Sequence, residues 1–128
     1  MTLENHPIWE AFNQILTQMD TKTLVMEHLK GCHYKLKGYW NGEEFYEELT
    51  FVNPLRAELV NSALGQIHRG DCSDRFLQLR FVLKPEIDST GEDDEIGELT
   101  LVLNVNQEIV DENWLIDVES PFVMAKKP

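Results

Sequence analysis

Glu47 is the residue whose type and position most strongly suggest chemistry. The pair Asn41-Gly42 between two β-rich runs predicts a hairpin over residues 32–52, because this pair readily adopts the positive φ angles of a two-residue turn. The alternation along the hairpin places Glu47 on the face that carries its apolar residues. A carboxylate in a pocket on that face has a raised pKa, which suits acid–base chemistry or the binding of a polar ligand group. We favour the simpler interpretation, in which the strand twists and carries this carboxylate into solvent.

Several aromatic side chains can line a pocket together with this carboxylate. Pockets for small molecules are mostly apolar and contain a few polar groups that fix the ligand. The candidate pocket residues are Trp9, Phe12, Tyr34, Trp40 and Glu47. Aromatic residues are also the usual components of a small core, and this is the interpretation that we favour.

The other nucleophilic and metal-binding residue types form no motif. Cys32 and Cys72 are far apart in the sequence, and the four histidines provide no zinc spacing around them. There is no nucleophile elbow, zinc-protease helix, phosphate-binding loop or dinucleotide fingerprint. We therefore expect no catalytic residue, no metal and no cofactor. We also expect reduced thiols in a cytoplasmic protein, and a disulfide between the two cysteines is the alternative if they lie close together.

Residues 86–95 form a strongly acidic segment. Oxygen ligands at alternate positions are what a calcium ion requires, so a calcium loop is one interpretation. The segment departs from that pattern because Asp93 stands where the turn glycine belongs. We interpret it as a solvated loop between two strands that can also contact a basic partner.

The charge balance restricts the class of partner. The chain has 23 acidic and 11 basic residues and a net charge of -12, which is the wrong sign for nucleic acid or an anionic membrane surface. Residues 71–128 carry 14 acidic and 5 basic residues, a net charge of -9, whereas residues 1–70 carry only -3. This asymmetry favours a basic protein partner. Mimicry of DNA is less favoured, because lysines and arginines interrupt the strands that would carry the carboxylates.

Three helices are predicted from apolar residues at helical spacing. The first contains Ile8, Phe12, Ile15, Leu16 and Met19, and the second runs from Thr21 to Lys30. The third begins at Asn53-Pro54, an N-cap followed by a proline suited to the first turn. Its expected buried stripe consists of Leu55, Leu59, Val60, Ala63, Leu64 and Ile67.

The hairpin has a definite predicted register. A two-residue turn at Asn41-Gly42 pairs residues whose numbers sum to 83. This register puts Trp40 opposite Glu43, Leu36 opposite Glu47, and Tyr34 opposite Leu49.

Three further strands follow from alternating apolar residues. The first runs from Arg75 and points Leu77, Leu79, Phe81 and Leu83 to one side. The second contains Leu99, Leu101, Leu103 and Val105, and the last contains Trp114, Ile116 and Val118 before Pro121. The turn between these two lies either at residues 106–107 or at residues 111–113.

The predicted fold is one α+β domain over residues 1–128. It contains, in order, two helices, a hairpin, a third helix and three antiparallel strands. The hairpin and the strands are expected to form one curved antiparallel sheet packed on the helices. From Ile8 to Phe122 this order resembles the nuclear transport factor two-like superfamily, in which a curved sheet wraps a long helix. The resemblance implies a pocket at the mouth of the cone and, in some members, isomerase or dehydratase chemistry. The paired Asp and His groups of that family's pocket have no assignable counterpart here.

The expected function is a non-enzymatic protein-interaction or adaptor module. Its partner is a protein, expected to be basic, and a second copy of the chain is a further candidate. The alternative is a small-molecule pocket domain of isomerase-like type, with Glu47 as the polar group. We expect neither nucleic acid nor a membrane as a partner.

Overall fold

The computed structural model describes residues 2–52, 54–86 and 95–128. Its helices and strands, in chain order, are α1 (Ile8–Met19), α2 (Thr21–Gly31), β1 (Lys35–Asn41), β2 (Glu44–Phe51), β3 (Leu55–Arg69), β4 (Cys72–Pro85), β5 (Gly97–Leu103), β6 (Ile109–Ile116) and β7 (Val123–Lys126). All strand pairings are antiparallel. The prediction of an α+β fold with antiparallel strands is confirmed. No helix among the described residues has the length and apolar character needed to cross a membrane.

The strands form two sheets, so the prediction of one curved sheet is wrong. One sheet has the order β1-β2-β7 and the other has the order β3-β4-β5-β6. The sequence interpretation omitted two strands, β3 and β7. β7 pairs with β2, so it extends the small sheet of the hairpin and does not join the larger sheet.

The predicted third helix is also wrong, because residues 55–69 form the long strand β3. β3 pairs with β4 along its whole length, and its register shifts between Leu59 and Asn61. Val60 is therefore an extra residue in a β-bulge, which resets the alternation of side chains. The inward residues of β3 are two positions apart before the bulge and three positions apart across it. This combination of intervals resembles the spacing of residues on one face of a helix.

The hairpin forms as predicted, but the numbers of paired residues sum to 85 rather than 83, so each partner is shifted by two residues and the turn residues are Gly42 and Glu43. Asn41 pairs with Glu44, so that Trp40 lies opposite Phe45 and Leu36 lies opposite Leu49. Gly38 has a φ of 72°, a conformation that glycine adopts without a steric penalty. At Gly38 the alternation of side chains shifts, so the face of the hairpin that points toward the core on one side of this residue points away from it on the other side.

The exchange of faces decides where the hairpin's side chains lie. Tyr46 and Leu49 are both buried although they are three residues apart, and Tyr39 is half-buried opposite Tyr46. Glu47, which lies between Tyr46 and Leu49 in β2, is exposed. The assignment of Glu47 to a continuous apolar face is therefore wrong, and the carboxylate lies in solvent, as the favoured interpretation of the sequence expects.

The core is built from the alternating apolar residues of β4 and β5. Their inward side chains are buried as predicted: Leu77, Leu79, Phe81, Leu83, Leu99, Leu101 and Leu103. Side chains of the helices and of β2 cover them: Phe12, Val25, Leu29, Leu49 and Phe51. The turn after β5 lies at the first of the two predicted places, because the side chain of Asn104 accepts hydrogen bonds from the amides of Asn106 and Glu108.

Replacing a central core leucine tests this assignment. Leu101 is fully buried, so Leu101→Ala should lower the free energy of unfolding by about 2–5 kcal/mol in urea denaturation. Leu115→Ala is the control, because Leu115 is 62% exposed and its truncation should cost less than about 0.5 kcal/mol. Equal losses in the two variants would contradict the assignment of the core face.

A polar contact holds the C-terminal residues against β2. The hydroxyl of Tyr46 donates to Oε2 of Glu44 at 2.8 Å, and Nζ of Lys127 lies 3.4 Å from the same oxygen. These contacts hold the pKa of the Glu44 carboxyl below its ordinary value, and the hydrogen bond to Glu44 raises the pKa of the Tyr46 hydroxyl. Ionised Glu44 therefore stabilises the folded chain.

The sign of this effect predicts a pH dependence. The contribution of Glu44 is present above its ordinary pKa of 4.5 and is lost as the pH falls through the lowered value of the folded state. Glu44→Gln should therefore unfold more easily than the parent near neutral pH, and the difference should disappear in acid. Urea denaturation across this pH range measures it, with Glu43→Gln, in the adjacent turn, as the control. A difference that does not change with pH would contradict the prediction.

Candidate functional site

The predicted pocket residues of α1 have separate environments. Phe12 is buried in the core cluster. Trp9 is exposed, and its indole N–H donates to the carbonyl of Leu3 at 2.5 Å. One side chain therefore serves the core, and the other holds the N-terminal residues against α1.

The predicted pocket residues of the hairpin are also distributed over different surfaces. Tyr34 is half-buried against the core, whereas Trp40 is 64% exposed and contacts the ring of Phe45 at a centroid distance of 4.9 Å. Glu47 is exposed. None of the five candidate residues lines the cavities described below.

The most distinctive charged feature is a run of carboxylates on β6 and the residues around it. We call it the acidic strip, and its members are Glu108, Asp111, Glu112, Asp117 and Glu119. All five are exposed, and residues 108–119 contain no lysine or arginine. Of the ion pairs among the described residues, only the one between His28 and Glu112 involves the strip. Asp111 lies opposite Val102 and Glu112 lies opposite Leu101, so these two carboxylates point to opposite faces at the β6 edge of the sheet. The strip therefore makes this edge of the sheet negatively charged.

The backbone of β6 is protected beside these carboxylates. The amide of Ile116 donates to the Tyr39 hydroxyl at 3.0 Å, and the amide of Glu112 donates to Oδ1 of Asp111 at 2.9 Å. Side chains thus occupy two donors of an edge strand that could otherwise pair with another chain. A partner that binds at this surface would therefore contact mainly side chains rather than free backbone groups.

A cleft lies between β1 and β6, beside the end of α2. It has a volume of about 490 Å³ and is lined by Cys32, His33, Lys35, Leu36, Lys37, Glu48, Glu112 and Trp114. Lys35 and Glu48 form an ion pair of 3.4 Å on one wall. The charges of these two residues are therefore already paired within that wall.

Trp114 lines the cleft, and its ring contacts two other rings. The Trp114 ring stacks on Phe51 at 5.7 Å and on His28 at 6.4 Å between centroids. Nε2 of His28 lies 2.5 Å from Oε2 of Glu112, which fixes that carboxylate of the strip. The indole N–H of Trp114 is buried and has no hydrogen-bond partner among the described residues.

The region provides no arrangement for nucleophilic or metal chemistry. Sγ of Cys32 donates to the carbonyl of Leu29 at 3.2 Å, and Cys32 and Cys72 are both free. Within residues 2–52, 54–86 and 95–128, no group of three His, Cys, Asp or Glu side chains could hold a metal ion. The calcium interpretation concerns residues that lie largely outside these ranges.

A second cavity lies under α1. It has a volume of about 290 Å³ and is lined mainly by apolar side chains, among them Ile15, Met19, Leu64, Leu77 and Val105. Its aliphatic walls can exclude water, but they provide no acid–base group.

Sequence reasoning missed the contact between α2 and β6. The sequence places His28 within the second predicted helix and predicts the last strand only from Trp114 onward, so a contact between His28 and Glu112 is not expected from it. The alternation of Ile109 and Asp111 with Val110 and Glu112 carries no clear apolar face, which explains why the first half of β6 was overlooked.

Comparison with known proteins adds no family. A scan against protein-family models, a search of curated proteins and a search of solved structures each found no match. The resemblance to the nuclear transport factor two-like superfamily therefore stays a prediction.

The Tyr39 contact predicts how firmly β6 is attached to the hairpin. Tyr39→Phe removes the acceptor of the Ile116 amide and should lower the free energy of unfolding by about 1–2 kcal/mol in urea denaturation. Tyr34→Phe is the matched control, because no hydrogen bond of the Tyr34 hydroxyl is found among the described residues. The same loss in both variants would contradict a specific role for the Tyr39 hydroxyl.

Proposed function

We propose that the chain is a non-enzymatic adaptor module that binds a basic protein partner through the acidic strip. The observation that carries the proposal is five exposed carboxylates within residues 108–119 and no cation among them. Such a surface attracts lysine- and arginine-rich segments and repels anionic ones. Two free cysteines agree with a cytoplasmic location, which is part of the proposal.

Apolar side chains within the strip support binding of a protein rather than of a simple cation. Val110 is 58% exposed and Leu115 is 62% exposed, and both lie on β6 between the carboxylates. Interfaces combine an apolar centre with charged groups that set specificity and association rate. The proposed partner segment therefore carries basic residues with apolar residues between them.

The fixed geometry of the strip also supports specific binding. Glu112 is held by His28, and β6 itself is fixed by Tyr39. Charged groups that are already ordered lose less conformational entropy on binding. The pocket alternative lacks comparable support, because Glu47 is exposed.

Neutralising part of the strip tests the proposal. The triple variant Asp111→Asn, Asp117→Asn, Glu119→Gln removes three carboxylates and leaves the His28–Glu112 pair intact. The matched control, Glu4→Gln, Glu10→Gln, Glu27→Gln, removes three exposed carboxylates in and beside the helices. Both variants have the same net charge, so they separate a local surface from total charge.

Binding is measured by fluorescence anisotropy with a labelled peptide of alternating lysine and valine. We expect the strip variant to weaken binding by about tenfold and the control by less than about threefold, with affinity falling as salt rises. Equal weakening in the two variants, or no binding by the parent chain, would show that the strip is not a binding surface for basic segments.

A further inference from the structure

The β3 strand presents an edge that the rest of the described chain does not pair with. β3 hydrogen-bonds to β4 and is the end strand of its sheet. α2 packs against it, but no backbone hydrogen bond outside the β3–β4 ladder involves residues 55–69. An edge strand of 15 residues is long for a globular protein, and its free N–H and C=O groups can pair with a further strand.

This edge lacks the protection found at the other edges of the two sheets. β1 carries Lys35 and Lys37, β6 carries the acidic strip, and β7 is only 4 residues long and includes Lys126. By contrast, residues 59–67 of β3 contain no charged residue and no proline. Charges, prolines and short length are the usual means by which edges avoid pairing, so the β3 edge is open to it.

The side chains of the same segment are exposed and apolar. Four of them are between 36% and 50% exposed: Leu59, Val60, Leu64 and Ile67. Together with the free backbone groups they provide both parts of a strand-addition interface, main-chain hydrogen bonds and apolar contacts.

The charges at the two ends of this segment are complementary to each other. Glu58 precedes it and Arg69 ends β3, and the register with β4 puts both on the outer face of the sheet. In an antiparallel pairing of two identical strands centred on Leu64, with Val60 of each copy left out of the pairing as the bulge residue, Glu58 of each copy lies beside Arg69 of the other. A two-fold axis generates this contact twice, as a symmetric homodimer requires.

We propose that two copies of the chain pair through β3 to form one continuous antiparallel sheet of eight strands. The strand order across the dimer is β6-β5-β4-β3 followed by the same four strands of the second copy in reverse. This arrangement puts the two acidic strips at opposite ends, which limits the repulsion between chains that each carry a net charge of -12. The dimer is an inference separate from the basic-partner proposal, which concerns β6.

The mass in solution tests the dimer directly. Sedimentation equilibrium of the full chain should give about twice 14.9 kDa at micromolar concentration and above. Val60→Lys introduces a charge into the exposed edge and should shift the chain toward the monomer. Val105→Lys is the matched control, because Val105 is 72% exposed in the turn after β5 and should leave the dimer unchanged. A parent chain that is monomeric throughout would overturn the proposal.

A charge swap tests the antiparallel arrangement. Glu58→Arg and Arg69→Glu should each raise the dimer dissociation constant by about tenfold, because each single change creates two like-charge contacts across the two-fold axis. Each change also removes an ion pair within the chain, Glu58 with Lys84 at 3.1 Å or Arg69 with Asp74 at 3.3 Å, so urea denaturation of each variant measures the accompanying loss of stability. The double variant Glu58→Arg, Arg69→Glu should restore the parent value. A dimer that does not respond to either single variant uses another surface and overturns the proposal. Loss of basic-peptide binding would leave these results unaffected, so the two proposals can fail independently.

Discussion

The structure depends on the burial of one face formed by β4 and β5. Seven inward side chains of these strands, six leucines and Phe81, are buried and form one cluster with side chains of the helices and of β2. Burial of this face is the main source of free energy for folding, because apolar area removed from water is the dominant favourable term. The small sheet and the large sheet remain open, since neither closes into a barrel. The fold is therefore left with free strand edges.

The treatment of those edges connects the fold to the proposed function. At β6, carboxylates and the Tyr39 hydroxyl occupy the edge, so that a second acidic chain is repelled while a basic segment is attracted. At β3, the uncharged segment 59–67 imposes no such repulsion. In the two proposals, this distribution of charge assigns the two edges of the same sheet to different kinds of partner.

Much of the fold could be predicted because local chemistry and burial agree. The helices α1 and α2, the hairpin, and the inward leucines of β4 and β5 follow from helical spacing, turn chemistry and alternation. β3 could not be predicted, because the bulge at Val60 breaks the alternation and Pro54 imitates a helix start. The exchange of faces at Gly38 could not be predicted either, because glycine adopts positive and negative φ angles with similar ease and the sequence does not determine which one is used. The exposure of Glu47 depends on the exchange of faces at Gly38, and the pairing of His28 with Glu112 depends on the tertiary contact between α2 and β6.

Hydrogen–deuterium exchange, resolved by residue and measured at low and high protein concentration, tests the assignment of the two sheet edges. Amides of residues 59–67 should exchange more slowly as concentration rises, because β3 of one copy protects β3 of the other. Residues 108–119 should show no such change until a basic peptide is added. Slowed exchange at 108–119 with concentration alone, or no change at 59–67, would contradict the assignment of the two edges.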